Sequence, residues 1–98
     1  PEQAFVASLS TCHMLWFLHL ASRAKFTVTR YVDEASGRLE KGPQGKWMMT
    51  RVTLRPAVSF SGTPPTPEEH RQLHHKAHEE CYIANSVTSE IECLPTIS

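Results

Sequence analysis

Pro1-Glu2-Gln3-Ala4-Phe5-Val6-Ala7-Ser8-Leu9-Ser10-Thr11-Cys12-His13-Met14-Leu15-Trp16-Phe17-Leu18-His19-Leu20-Ala21-Ser22 decides how the rest of the chain is read. From Ala4 to Ser22 it contains no Asp, Glu, Lys or Arg, and apolar side chains fall on nearly every side of the helix it would form. A helix that is apolar all round is buried on most of its faces. A membrane span needs roughly 18 to 20 apolar residues, a length this stretch has. Ser8, Ser10, Thr11, His13 and His19 recur along it, however, and an alternating, sheet-like pattern follows. The expectation is a core helix. A secretory leader would open on positive charge, and this stretch opens Pro1-Glu2-Gln3. Pro1 suits the first helical turn but leaves the capping residue outside the sequence. This suggests the C-terminal part of a longer chain, with residues 1–98 forming one domain.

Working outward, the period changes after Lys25. Phe26, Val28, Arg30 and Val32 alternate with Thr27, Thr29, Tyr31 and Asp33, predicting a strand that continues to Glu40. Lys41–Lys46 holds two glycines and a proline, the composition of a turn. Trp47–Ser61 reads as a second strand with Val52, Leu54, Val58 and Phe60 on one face, and Pro56 marks an edge or bulge within it. Behind the Gly62–Pro65 linker, Thr66, Pro67 and Glu69 form a capping-box start for a polar helix running to about Cys81. Its inward stripe is Leu73, Ala77 and Cys81. Ser86–Leu94 alternates again and predicts a last strand. The expected fold is α+β: a two-layer α-β-β-α-β arrangement with both helices on one face of a small sheet.

Composition narrows the function. Ten basic and ten acidic residues cancel, which argues against a nucleic-acid surface. Gly42-Pro43-Gln44-Gly45 has the Gly-x-x-Gly spacing of KH domains, but it joins strands here rather than helices. Three widely spaced cysteines do not form a secreted disulfide framework, so a reducing cytoplasm is expected. A chain of 98 residues buries a modest core, which oligomerisation would enlarge.

Two constellations carry chemistry. Cys12 has Ser10, Thr11 and His13 as polar neighbours, and Cys81 also points inward; both thiols can be core filler, or they can meet as an attacking and a resolving thiol. Cys93, on a strand, reads as structural. The rival is His70, His74, His78 and Cys81, near one face of the second helix, as transition-metal ligands. Four ligands on one straight helix surround an ion poorly, and solvent-facing or hydrogen-bonded histidines are the plainer reading.

Pro1–Met14, with Pro-Glu-Gln followed ten residues after the Glu by Cys12, resembles the OsmC/Ohr family of hydroperoxide reductases; His74–Val87 resembles the second-cysteine segment of its OsmC-like members. The resemblance covers essentially the whole chain. It implies thiol-dependent reduction of peroxides, organic ones especially, with Cys12 as the peroxidatic thiol, Cys81 as the resolving thiol and Glu2 in the active-site network. It implies an intertwined homodimer, a dithiol reductant (a lipoyl-type dithiol being one form), a role in the oxidative stress response, and no metal or flavin cofactor. The family's activating arginine belongs to an N-terminal β-region absent from this sequence, and Arg23 and Arg30 match no motif. Typical Ohr enzymes also have Pro after the second cysteine, where Tyr82 stands here.

Only a thiolate attacks a peroxide O–O bond, which calls for a cation or hydrogen-bond donors around Cys12. An apolar wall of Phe5, Leu9, Met14 and Trp16 would favour alkyl or lipid peroxides. Glu2 and Cys12 are about 15 Å apart along an unbroken helix, so either the helix breaks near Ala7–Ser10 or Glu2 serves a partner's Cys12. The alternative function is a non-catalytic ligand- or nucleic-acid-binding module with structural cysteines.

Overall fold

Glu2 to Arg23 form one unbroken helix, α1, in a computed structural model that describes residues 1–97. No break occurs near Ala7–Ser10. The helix stops in a Schellman motif: Phe26 N–H donates to the Ala21 carbonyl and Lys25 N–H to that of Ser22. Lys25 takes the left-handed conformation, φ +66°, that glycine usually fills at this position.

The four buried residues of α1 are Leu9, His13, Phe17 and Ala21, a single stripe at a spacing of four. The expectation of burial on most faces therefore does not hold within one chain. Leu15 is 59 % exposed, and Trp16, Leu18 and Leu20 are half-buried. By length and composition α1 is long and apolar enough to cross a membrane, and 22 % of that apolar stretch is buried within the chain.

The two expected long strands each break once. The first divides into β1 (Thr27–Asp33) and β2 (Ser36–Lys41), the second into β3 (Trp47–Leu54) and β4 (Pro56–Ser61). Pro56 explains one break, because it lacks an N–H for a ladder and biases the residue before it. Asp33 stabilises the same level from the other strand, accepting a hydrogen bond from Arg55 N–H at 2.6 Å. Beyond Gly62–Pro65, helix α2 (Pro67–Glu80) begins with the expected capping box: Glu69 N–H donates to Thr66 Oγ1, and Thr66 N–H to the Glu69 carboxylate. Cys81 is its C-cap rather than its last helical residue. The expected strand Ser86–Leu94 shortens to β5 (Glu90–Cys93), preceded by a 3-10 turn at Ala84–Ser86 and followed by β6 (Thr96–Ile97).

Two three-stranded sheets result, ordered β1-β4-β6 and β2-β3-β5. Hairpin pairs β1–β4 and β2–β3 are antiparallel, while β5 and β6 add in parallel to β3 and β4. All three paths bend at one level, where Leu94 N–H bonds the Leu54 carbonyl at 2.8 Å. The Gly42–Gly45 segment is the β2–β3 hairpin turn, with Gly45 at φ +75°.

The core divides likewise. Phe17, Ala21, Val58 and Ala77 form one apolar cluster. Leu9, Val52 and Leu54 form the other. His13 lies on α1 between the residues serving the two clusters. Full burial of a side chain such as Phe17 contributes roughly 2–3 kcal/mol. The molecule is long and narrow, 50 × 21 × 21 Å, with a radius of gyration of 14.3 Å, against about 13 Å for a compact chain of 100 residues.

Candidate active site

Cys12 sits in the middle of α1, partly exposed, and Cys81 sits buried at the end of α2. The helices pack so that the Cys12 side chain comes close enough to act on the Cys81 thiol. Burial pushes the Cys81 thiol up to about 11, and neighbouring Cys12 adds to this, against the opposing N–H groups of Ala84 and Ile83. The Ala84 N–H lies 3.5 Å from Cys81 Sγ. A position at the negative end of a helix dipole also disfavours a thiolate. Cys81 is thus a thiol held protonated beside Cys12.

Around this pair the aromatic surface is built by Trp16, one turn beyond Cys12, and Tyr82, next to Cys81; their rings meet edge to face at 5.8 Å. The apolar wall expected from sequence changes membership. Leu9 is 1 % exposed and belongs to the core, with Phe5 packed against the same cluster.

Other expected neighbours turn away. Ser10 donates to Asp33 at 2.5 Å, and His13 is buried and faces inward. Adjacent helical residues point about 100° apart, so a thiol on the α1–α2 seam puts His13 in the core. Glu2 lies at the start of the unbroken helix, beside a cavity of about 470 Å³ that Ser10, Asp33 and Gly37 also line. It is not brought to Cys12 of its own chain.

The histidines of α2 divide. His75 is exposed and His78 half-buried, whereas His70 and His74 are buried rather than solvent-facing. His74 Nε2 lies 3.1 Å from His70 Nε2, and His74 Nδ1 lies 2.9 Å from His13 Nε2. Cys93 Sγ approaches His13 Nε2 at 3.7 Å. Desolvation, followed by the positive potential of His78, lowers His13 to about 4. Desolvation also lowers His74 and His70. Burial raises the Cys93 thiol to about 12, with Asp33 adding to the shift. His13 Nδ1 has no hydrogen-bond partner among the described residues. Leaving such an atom unsatisfied costs about 1–3 kcal/mol. The ligand set read along one helix, His70-His74-His78-Cys81, is therefore not the group that assembles: Cys81 lies beside Cys12, and His74 joins His13 and Cys93. The sequence signal for this was His13 in the four-spaced stripe Leu9-His13-Phe17-Ala21; its pairing with Cys93 is a product of topology.

A family model described as OsmC-like protein matches residues 1–94. The chain belongs to the OsmC family. It is 50 % identical to an OsmC-like protein of unknown function from Vibrio cholerae, with a TM-score of 0.95, covering 97 % of this chain and 62 % of that one. The OsmC chain thus spans under two thirds of that relative's length. An organic hydroperoxide resistance protein from Elizabethkingia anophelis shares the fold at 24 % identity and a TM-score of 0.72, covering 100 % of this chain and 66 % of that one. Another, from Bacillus subtilis, does so at 19 % identity and 0.71, covering 100 % and 69 %. No curated protein sequence matches the chain.

Proposed function

We propose that this OsmC chain forms the thiol centre of a cytoplasmic peroxidase that reduces organic hydroperoxides. One observation carries the reading: the buried thiol of Cys81 lies beside the partly exposed Cys12, close enough for Cys12 to act on it. The Cys12 thiolate attacks the terminal peroxide oxygen, the O–O bond breaks, and the leaving alkoxide takes a proton to become the alcohol. Cys12 is left as a sulfenic acid. Cys81 then forms the S–S bond, and its thiol proton leaves with the sulfenic hydroxyl as water. An external dithiol, such as a lipoyl-type dithiol, reduces the disulfide by exchange.

Trp16 and Tyr82 supply the apolar surface that would favour an alkyl peroxide over hydrogen peroxide. Glu2 enters only through an intertwined homodimer, acting on the partner's Cys12, since α1 is unbroken. Support for such a dimer comes from the single buried stripe of α1, and from Leu15 and Tyr82, 59 % and 70 % exposed.

The test is to treat the reduced protein with one equivalent of an organic hydroperoxide and map its thiols by mass spectrometry. A Cys12–Cys81 disulfide with Cys93 free is expected. Thiols left unmodified by that treatment would overturn the assignment.

A further inference from the structure

Three ligand-type side chains converge inside the molecule, each from a different element: His13 from α1, His74 from α2 and Cys93 from β5, with one ligand atom of each within 4.8 Å of the others. We propose that these three residues bind one transition-metal ion of the zinc class, at a site separate from the Cys12–Cys81 pair.

Hydrogen bonding alone accounts poorly for the convergence. An imidazole nitrogen offers one proton or one lone pair, yet His13 Nε2 faces both His74 Nδ1 at 2.9 Å and Cys93 Sγ at 3.7 Å. A cation accepts a lone pair from each atom at once. Zn–N bonds of about 2.0–2.1 Å and a Zn–S bond of about 2.3 Å place tetrahedral ligand atoms about 3.3 Å (N to N) and 3.6 Å (N to S) apart. The His13–Cys93 spacing of 3.7 Å already fits, the two imidazoles need to separate by a few tenths of an ångström, and His74 and Cys93, within 4.8 Å of each other, need to close by at most about 1.2 Å.

The surroundings of His74 match a metal's needs as well, while His13 Nδ1 has no outer partner among the described residues. His74 would ligate through Nδ1, leaving its Nε2–H to bond His70 Nε2 at 3.1 Å, the outer contact that fixes a ligating histidine's tautomer. Phe17 stacks on the His74 ring at 4.1 Å and holds its plane. A cavity of about 250 Å³, lined by His74, Cys93 and His78, opens on the group and leaves room for a fourth ligand. Two imidazoles and a thiolate select zinc, cobalt or copper over magnesium or calcium. Binding converts the Cys93 thiol to a thiolate and releases its proton to solvent.

The experiment titrates the reduced, metal-free protein with Co²⁺ and then Zn²⁺. The expected result is one equivalent of Co²⁺ bound with tetrahedral visible bands and a thiolate charge-transfer band, all erased by Zn²⁺. The Zn²⁺ form should show one sulfur in its X-ray absorption first shell. The double variant Cys12→Ser/Cys81→Ser, with Cys93 as its one remaining cysteine, should keep the charge-transfer band, and Cys93→Ser should lose it. Absence of the band in the unsubstituted protein, two sulfurs around Zn²⁺, or loss of the band in the double variant would overturn the proposal. The double variant decides the matter even where Cys93→Ser fails to fold.

Discussion

Cys12 and His13 are neighbours in sequence, yet they belong to two regions with opposite physics. On the α1–α2 seam, Cys12 is partly exposed and meets a second thiol. Inside, His13 is 1 % exposed and meets His74 and Cys93 between the two apolar clusters. The seam joins two sulfurs, which can exchange electrons through a disulfide. The interior joins two imidazoles to one sulfur, a set that can hold a cation but cannot close a disulfide within itself. A single helix serves both because a step of one residue turns the side chain about 100°.

The largest expected effect separates the regions by chemistry. Cys12→Ser should lower peroxide consumption by more than about a hundredfold, with melting temperature nearly unchanged because the residue is partly exposed. Cys81→Ser should instead let Cys12 over-oxidise to sulfinic acid, visible by mass spectrometry. Full peroxidase turnover in Cys12→Ser would remove the seam from catalysis.

Next in size is Phe17→Ala. It removes a fully buried ring stacked on His74, and should cost about 3–5 kcal/mol in urea unfolding. A loss below about 1 kcal/mol would mean that the interior repacks freely and does not hold its imidazoles by shape.

Acid should act on the interior more than on the seam. The folded state holds His13 near 4, whereas the unfolded chain titrates near 6.5. Between those values the unfolded state binds the extra proton, so stability falls as pH drops from 6.5 toward 4 and is unaffected by this group above 6.5. His13 alone accounts for roughly 3 kcal/mol across that window, and His74 acts in the same direction. Unfolding free energies that stay flat from pH 7 to 4 would contradict neutral buried imidazoles.

The smallest effect sharpens the contrast along α2, whose first eight residues include His70 and His74 and whose C-cap is Cys81. Thr66→Ala removes the capping box and should cost about 1 kcal/mol. Hydrogen exchange should quicken in the first turns near His70 while protection near Cys81 stays unchanged. Uniform loosening of the helix would show that the two regions are not energetically separable.

Much of this was legible in the residues themselves. A charge-free run set α1, Thr66-Pro67-Glu68-Glu69 set the start of α2, and alternation after Lys25 set an α+β fold. These signals are local, carried by period and capping over a few turns. The Cys12 and Cys81 motifs pointed to the family, whose model matches residues 1–94. What the sequence could not supply was position across the fold. The strand breaks at Glu34–Ala35, Arg55 and Leu94–Pro95 lie at one level because Asp33 and Leu54 bond across the sheets. That level brings Cys93, at the end of β5, against His13, 80 residues away. The burial of His70 and His74, which a polar-looking helix concealed, follows from the same packing. Periodicity determines which residues share a face; only tertiary structure decides which faces meet, because that depends on contacts between segments remote in the chain.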